Sequence, residues 1–201
     1  MMLRSACLFS LVLFVATVIR AGEFNSVLNI GDDARAWKEL PGTDGKPHSL
    51  DDLKESKLVV VVFTCNSCPI ATDYEDRIIE LADKFKKEVA FVAINVNRIP
   101  DDSLPKMKER AESKKFPFPY LFDESQKIAK DYGAKYTPEF FVLDSERKIA
   151  YMGGLDDSSI ADKVKTKHLE PALEAILKGE KPATAETNAI GCRVRYAREK
   201  R

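Results

Sequence analysis

Cys65-Asn66-Ser67-Cys68-Pro69 holds the residues of this 201-residue chain best suited to chemistry. It directly follows the apolar run Leu58-Val59-Val60-Val61-Val62-Phe63 and opens an amphipathic stretch. A thiol on the first turn of a helix meets unpaired backbone N–H groups and the positive end of the helix dipole, both of which favour thiolate. Two cysteines three positions apart can close a small disulfide and reopen it, which is the chemistry of thiol–disulfide exchange. A structural bridge and a metal site are the competing uses of such a pair. A four-residue ring gains little chain entropy, which counts against a structural bridge. Cys65, at the strand end, is expected to be the more exposed sulfur and the attacking one. Cys68, a turn into the helix, is expected to be shielded and to resolve. Thr64, Asn66 and Pro69 flank the pair and are candidate substrate contacts.

The elements that must position these thiols can be read from periodicity. The strand Lys57–Phe63 has no polar alternation, as in a parallel sheet covered on both faces. Ile70, Tyr74, Ile78, Leu81 and Phe85 recur at helical spacing between Pro69 and Lys87. Glu88–Val96 reads as a second buried strand, Ser103–Lys115 as a polar helix and Tyr120–Phe122 as a short strand. Ser125–Tyr132 reads as a helix ended by Gly133. Residues 140–143 and 148–151 suggest a hairpin, and Asp162–Leu177 a closing helix. Upstream, the turn cluster Pro41–Pro47 suggests an N-terminal hairpin, followed by a short helix begun at Ser49. Strand–helix alternation early and a hairpin late predict an α/β sandwich of three layers, with a mixed central sheet and helices on both faces.

The bulk numbers narrow the partners. Basic and acidic residues balance at 32 each, so composition suggests no nucleic-acid-binding surface. Met1–Arg4 and the apolar run Ala6–Ile19, ahead of Arg20-Ala21-Gly22, read as a signal peptide over 1–21. An uncleaved anchor is the other reading of that segment, although the run is shorter than a spanning helix requires. Export out of the cytoplasm is the expectation. Removal of 1–21 leaves 30 basic and 32 acidic residues and three cysteines, Cys65, Cys68 and Cys192. An odd count leaves one thiol free, paired between chains, or shared in a relay. The domain is expected over 22–181, and 182–201 as a basic tail containing Cys192. Contact with a membrane would come only through the leader or that tail.

Together these stretches resemble the thioredoxin-like fold, and more closely the exported bacterial redoxins of the AhpC/TSA type with a Cys-Asn-x-Cys-Pro site. The resemblance rests on Cys65–Pro69 behind a strand and on Tyr136-Thr137-Pro138 ahead of Phe140-Phe141-Val142-Leu143. It extends through Leu28-Asn29-Ile30-Gly31-Asp32, Leu40–Gly45, Tyr74-Glu75-Asp76-Arg77, Phe116–Asp123 and Gly191-Cys192. It implies that Pro138 is cis, that it packs against the cysteine pair, and that Thr137 offers its backbone to an extended substrate. It also implies exchange with protein thiols and disulfides, a partner dithiol that resets the pair, and no cofactor. Such redoxins often carry His between the cysteines. Ser67 stands there, removing a cation that would depress the Cys65 pKa. Thioredoxins carry a buried acid six residues before the first cysteine. Val59 holds that place, and Asp73 and Glu75 are the nearby carboxylates on the helix. Cys192 is a candidate relay thiol. Two rival activities share the scaffold. Copper(I) delivery would recruit Cys65, Cys68 and His168. A thiol peroxidase would need a Pro-x-x-x-Thr-x-x-Cys pattern, whereas here Thr64 abuts Cys65 with no proline upstream in the strand.

Overall fold

A computed structural model describes residues 22–198; residues 1–21, read from the sequence as a signal peptide and containing Cys7, and residues 199–201 lie outside the described residues. In chain order the elements are β1 (Leu40–Pro41), β2 (Pro47–His48), β3 (Leu58–Phe63), α1 (Pro69–Phe85), β4 (Val89–Asn95) and α2 (Leu104–Lys114). Then come β5 (Tyr120–Phe122), α3 (Lys127–Tyr132), β6 (Tyr136–Thr137), β7 (Glu139–Leu143), β8 (Ile149–Gly153), α4 (Leu169–Leu177) and β9 (Cys192–Arg193). The central sheet has the order β5-β4-β3-β7-β8. β3 is parallel to β4 and β4 to β5, whereas β7 is antiparallel to both β3 and β8. The α/β sandwich expected from the sequence is therefore the fold.

Every residue of β3 is buried, because the strand feeds a core on each face. Successive side chains of a strand point to opposite faces. Leu58, Val60 and Val62 pack with Tyr74 and Ile78 of α1 and Leu173 of α4. Val59, Val61 and Phe63 pack with Ile128, Ala129 and Tyr132 of α3, together with Leu28 and Trp37 from the N-terminal segment. β1 and β2 form the expected hairpin, Leu40 opposite His48.

Two segments differ from expectation. The last helix begins at Leu169, not Asp162. The stretch before it is tied to the loop after β8: Asp157 N–H donates to Thr166 O, and the N–H groups of His168 and Leu169 donate to Leu155 O. Arg77 also clamps that loop, paired with the Asp156 carboxylate and donating to Ser158 O at 3.0 Å. Those backbone groups are thus committed before a helix can start. Residues 182–198, read as a tail, are strung across the domain. Glu186 bridges to Met152 of β8, β9 pairs with β6, and Val194 enters the core beside α3. No helix among the described residues is long and apolar enough to cross a membrane.

Candidate active site

The chain leaves β3 at Phe63, and Thr64 N–H extends the pairing by donating to Ile94 O at 3.0 Å. Cys68 is the N-cap of α1, its Sγ accepting from Ala71 N–H at 3.3 Å, with Pro69 in the first turn where a missing N–H costs nothing. Cys65 Sγ lies 3.4 Å from Thr137 Oγ1 and 3.7 Å from Ser67 Oγ. Cys68 Sγ is 3.2 Å from the Thr137 carbonyl oxygen, and the Thr137–Pro138 peptide is cis. Cys65, Cys68 and Cys192 are free thiols, and Cys192 packs against the cluster of Cys65, Cys68 and Ala71. Thus Cys65, Cys68, Thr137, Pro138 and Cys192 meet at one end of the sheet.

Asp102, which the sequence did not single out, organises the turn between the cysteines. Its fully buried carboxylate accepts from Asn66 N–H at 2.7 Å, Ser67 N–H at 3.1 Å and Ser67 Oγ–H at 2.6 Å. The Asn95 and Asn97 side chains donate to it at 3.2 Å each. The loop amides free to steady a Cys65 thiolate are therefore already engaged by a carboxylate. Asn66, expected to meet substrate, is held within the fold: Tyr120 Oη donates to its Oδ1 at 3.1 Å, and its Nδ2 donates to Asp101 O at 2.9 Å. Thr64 is half-buried behind the pair, and Pro69 is exposed on the rim. Neither helix carboxylate reaches the sulfurs. Glu75 is paired with Arg110 of α2 at 2.6 Å, and Asp73 is exposed.

The charge settles on Cys68. The pKa of the Cys65 thiol is pushed up by the neighbouring Cys68 sulfur, by burial and by the nearby Asp102 carboxylate. Cys68 is pulled down to about 5, chiefly by the neighbouring Cys65 thiol, against burial and with help from Cys192 and Ala71 N–H. Cys65 thus holds its proton more firmly than Cys68. Ultraviolet absorbance of the reduced protein is expected to show one thiolate forming near pH 5 and missing from Cys68→Ser. An unfolded thiol keeps its proton to about pH 8.5. Between those values the native chain binds fewer protons than the unfolded one, so this group adds stability as pH rises. The contribution is lost as pH falls through about 5.

The pair is also more covered than the sequence suggested. Cys65 and Cys68 are only 3% and 2% exposed, so Cys65 does not stand out. The reason is β9: Cys192 lies opposite Thr137 and Arg193 opposite Tyr136, along the backbone edge assigned to a substrate. Glu139, a second residue not singled out, supports that edge from below. Its buried carboxylate accepts from Lys135 and Tyr136 N–H at 2.6 and 2.8 Å, while burial raises its pKa. His168 sits at the start of α4 on the Leu155 loop, and no three His, Cys, Asp or Glu side chains among the described residues form a metal-holding group.

A mixed five-stranded sheet with a dithiol at the N-terminus of its first long helix, set against a cis proline, defines a thioredoxin-like redoxin. Residues 30–152 match the AhpC/TSA family, to which this chain belongs. The chain is similar to an uncharacterized conserved protein from Geobacillus kaustophilus, with 34% identity over 88% of this chain and 96% of that one and a TM-score of 0.81. It is similar to a hypothetical protein from Sinorhizobium meliloti 1021, with 31% identity over 85% of this chain and 96% of that one and a TM-score of 0.79. Peroxidoxin BcpB from Mycobacterium tuberculosis is 25% identical over 65% of this chain and 85% of its own, with a TM-score of 0.53. No curated protein matches the sequence.

Proposed function

We propose that this redoxin is a thiol–disulfide oxidoreductase for exported proteins, working through Cys65 and Cys68. The observation that carries the reading is a pair of free thiols at the N-terminus of α1, packed against Thr137 and the cis Pro138. Cys65 attacks a substrate disulfide as its proton passes to Cys68. A mixed disulfide forms, and one substrate sulfur leaves as thiolate. That thiolate takes the proton from Cys68, whose sulfur then attacks Cys65, closes the Cys65–Cys68 bond and releases the second substrate thiolate. The substrate gains two electrons and the pair loses them; the reverse sequence oxidises a dithiol. A partner dithiol or disulfide resets the pair, and no cofactor enters. The apolar leader ahead of Arg20-Ala21-Gly22 supports export.

Peroxide reduction fits less well, because Thr64 abuts Cys65 and no proline stands upstream in the strand. The test is a redox titration against glutathione and dithiothreitol, with thiols counted by alkylation and mass spectrometry. A couple near roughly −270 mV marks a reductant, and one near roughly −120 to −180 mV an oxidant or isomerase. Absence of any reversible Cys65–Cys68 couple would end the oxidoreductase reading.

A further inference from the structure

The strand that carries Cys192 fills the groove in which an extended substrate would lie. Its pairing with β6 places Cys192 against Thr137, the residue preceding the cis proline. Gly191 makes this approach possible: a Cβ there would stand 2.3 Å from the Thr137 carbonyl oxygen and 3.1 Å from Pro138 N. The strand is fixed from its far side as well. Val194 N–H donates to Lys135 O at 2.9 Å, Arg195 N–H to Asn97 Oδ1 at 3.0 Å, and Ala197 N–H to Gln126 Oε1 at 2.7 Å.

The Cys192 sulfur then reaches the same helix end as Cys68. It packs, with Ile70, against the cluster of Cys65, Cys68 and Ala71, whose N–H is held by Cys68. Of the three thiols it is the half-buried one, while Cys65 and Cys68 are enclosed.

We propose that Cys192 is a third redox thiol, and that Cys68 is the shared partner of two alternative disulfides, Cys65–Cys68 and Cys68–Cys192. The proposal rests on the oxidoreductase reading above and names the second port of the same site. Starting from the Cys65–Cys68 disulfide, the Cys192 thiolate attacks Cys68 Sγ. The Cys68–Cys192 bond forms, the Cys65–Cys68 bond breaks, and Cys65 leaves as a thiolate that takes up the proton Cys192 lost. Nothing is oxidised or reduced overall; the disulfide moves from the enclosed pair to the sulfur nearest solvent, where a partner's thiolate can open it. Timing follows from electrostatics. In the reduced protein burial holds the Cys192 thiol protonated, and so do its bond to Cys68 and the charge there, whereas Ile70 N–H and Arg195 favour its thiolate. Oxidation of Cys68 removes the charge and the acceptor together, so Cys192 becomes the stronger nucleophile once there is a disulfide to attack.

The experiment is disulfide mapping of the full chain and of Cys65→Ser, each equilibrated with oxidised glutathione and quenched in acid. In Cys65→Ser the expected product is an intramolecular Cys68–Cys192 bridge; in the unsubstituted chain both bridges are expected, in a fixed ratio. Glutathione adducts without that bridge in Cys65→Ser, alongside a working Cys65–Cys68 couple in the unsubstituted chain, would overturn the relay and spare the oxidoreductase. No reversible couple in the unsubstituted chain would overturn the oxidoreductase reading itself, and the relay with it. Gly191→Val keeps all three sulfurs but drives β9 off Thr137. It is expected to lose the bridge and to raise the alkylation rate of Cys68 by about tenfold or more. Unchanged bridge yield and alkylation in that variant would show that β9 does not govern access.

Discussion

Asp102→Ala is expected to cost about 3–5 kcal/mol of folding stability, because several donors lose one buried acceptor at about 1–3 kcal/mol each. Two backbone N–H groups, the Ser67 hydroxyl and the Asn95 and Asn97 side-chain amides all direct donors at this carboxylate. Alanine leaves all of them without that acceptor, and the Asn95 and Asn97 amides are buried. Asp102→Asn keeps the volume, loses part of the acceptor capacity and removes the charge. It is expected to be destabilised less, by about 1–3 kcal/mol, while its Cys65 becomes more acidic because a charge holding the proton on that sulfur is gone. Urea unfolding measures the first effect, and the pH dependence of Cys65 alkylation the second. If both variants unfolded like the parent and alkylated with its pH profile, Asp102 would be a passive neighbour of the turn.

The second large effect concerns the sulfurs. Cys65→Ser is expected to lower exchange with protein disulfides by about three orders of magnitude or more, since a hydroxyl replaces the attacking sulfur. Cys68→Ser retains the attacking sulfur but loses the resolving one and the group that takes the Cys65 proton. It should form mixed disulfides slowly at neutral pH, faster as pH rises, and then hold them. Non-reducing gels of cells carrying each variant, followed by identification of the trapped chains, separate the two behaviours. A Cys68→Ser protein that traps no partner at any pH would remove Cys65 from the role of attacking sulfur.

The sheet was legible because its strands are apolar throughout and its helices keep a regular face; β3 and α1 fall where Leu58–Phe63 and the Ile70–Phe85 spacing put them. The dithiol was equally legible, since the spacing of Cys65 and Cys68 and its place after a strand are local facts. What the sequence did not yield depends on long-range bonds. Asp102 lies 36 residues from Asn66, in a short turn after β4 where an acid looks like any solvated carboxylate. The late start of α4 follows from bonds to the β8 loop, invisible to helical periodicity. The segment 182–198 looked like a tail because basic residues crowd its end. Yet Cys192, Val194 and Tyr196 alternate with Arg193 and Arg195, the period of a half-buried strand, and Val194 is buried. Gly191 beside Cys192 was a second signal, a residue without a side chain next to a thiol.

The borders of the sheet carry a lesson about company rather than chemistry. β5 is flanked by the N-terminal hairpin, through the bridge from Gly42 to Leu121 and the bond from Thr43 N–H to Tyr120 O at 3.0 Å. β8 is flanked by residues 185–187, through Met152 N–H to Ala185 O and Thr187 N–H to Met152 O, each 3.0 Å. Sheets commonly recruit neighbours along such margins, and a raw margin is where chains stack into aggregates. Here the chain hems its own fabric on both sides, with one seam sewn at each end of the sequence. A protein finished in this way meets strangers through its side chains and its sulfurs, and keeps its backbone out of the exchange.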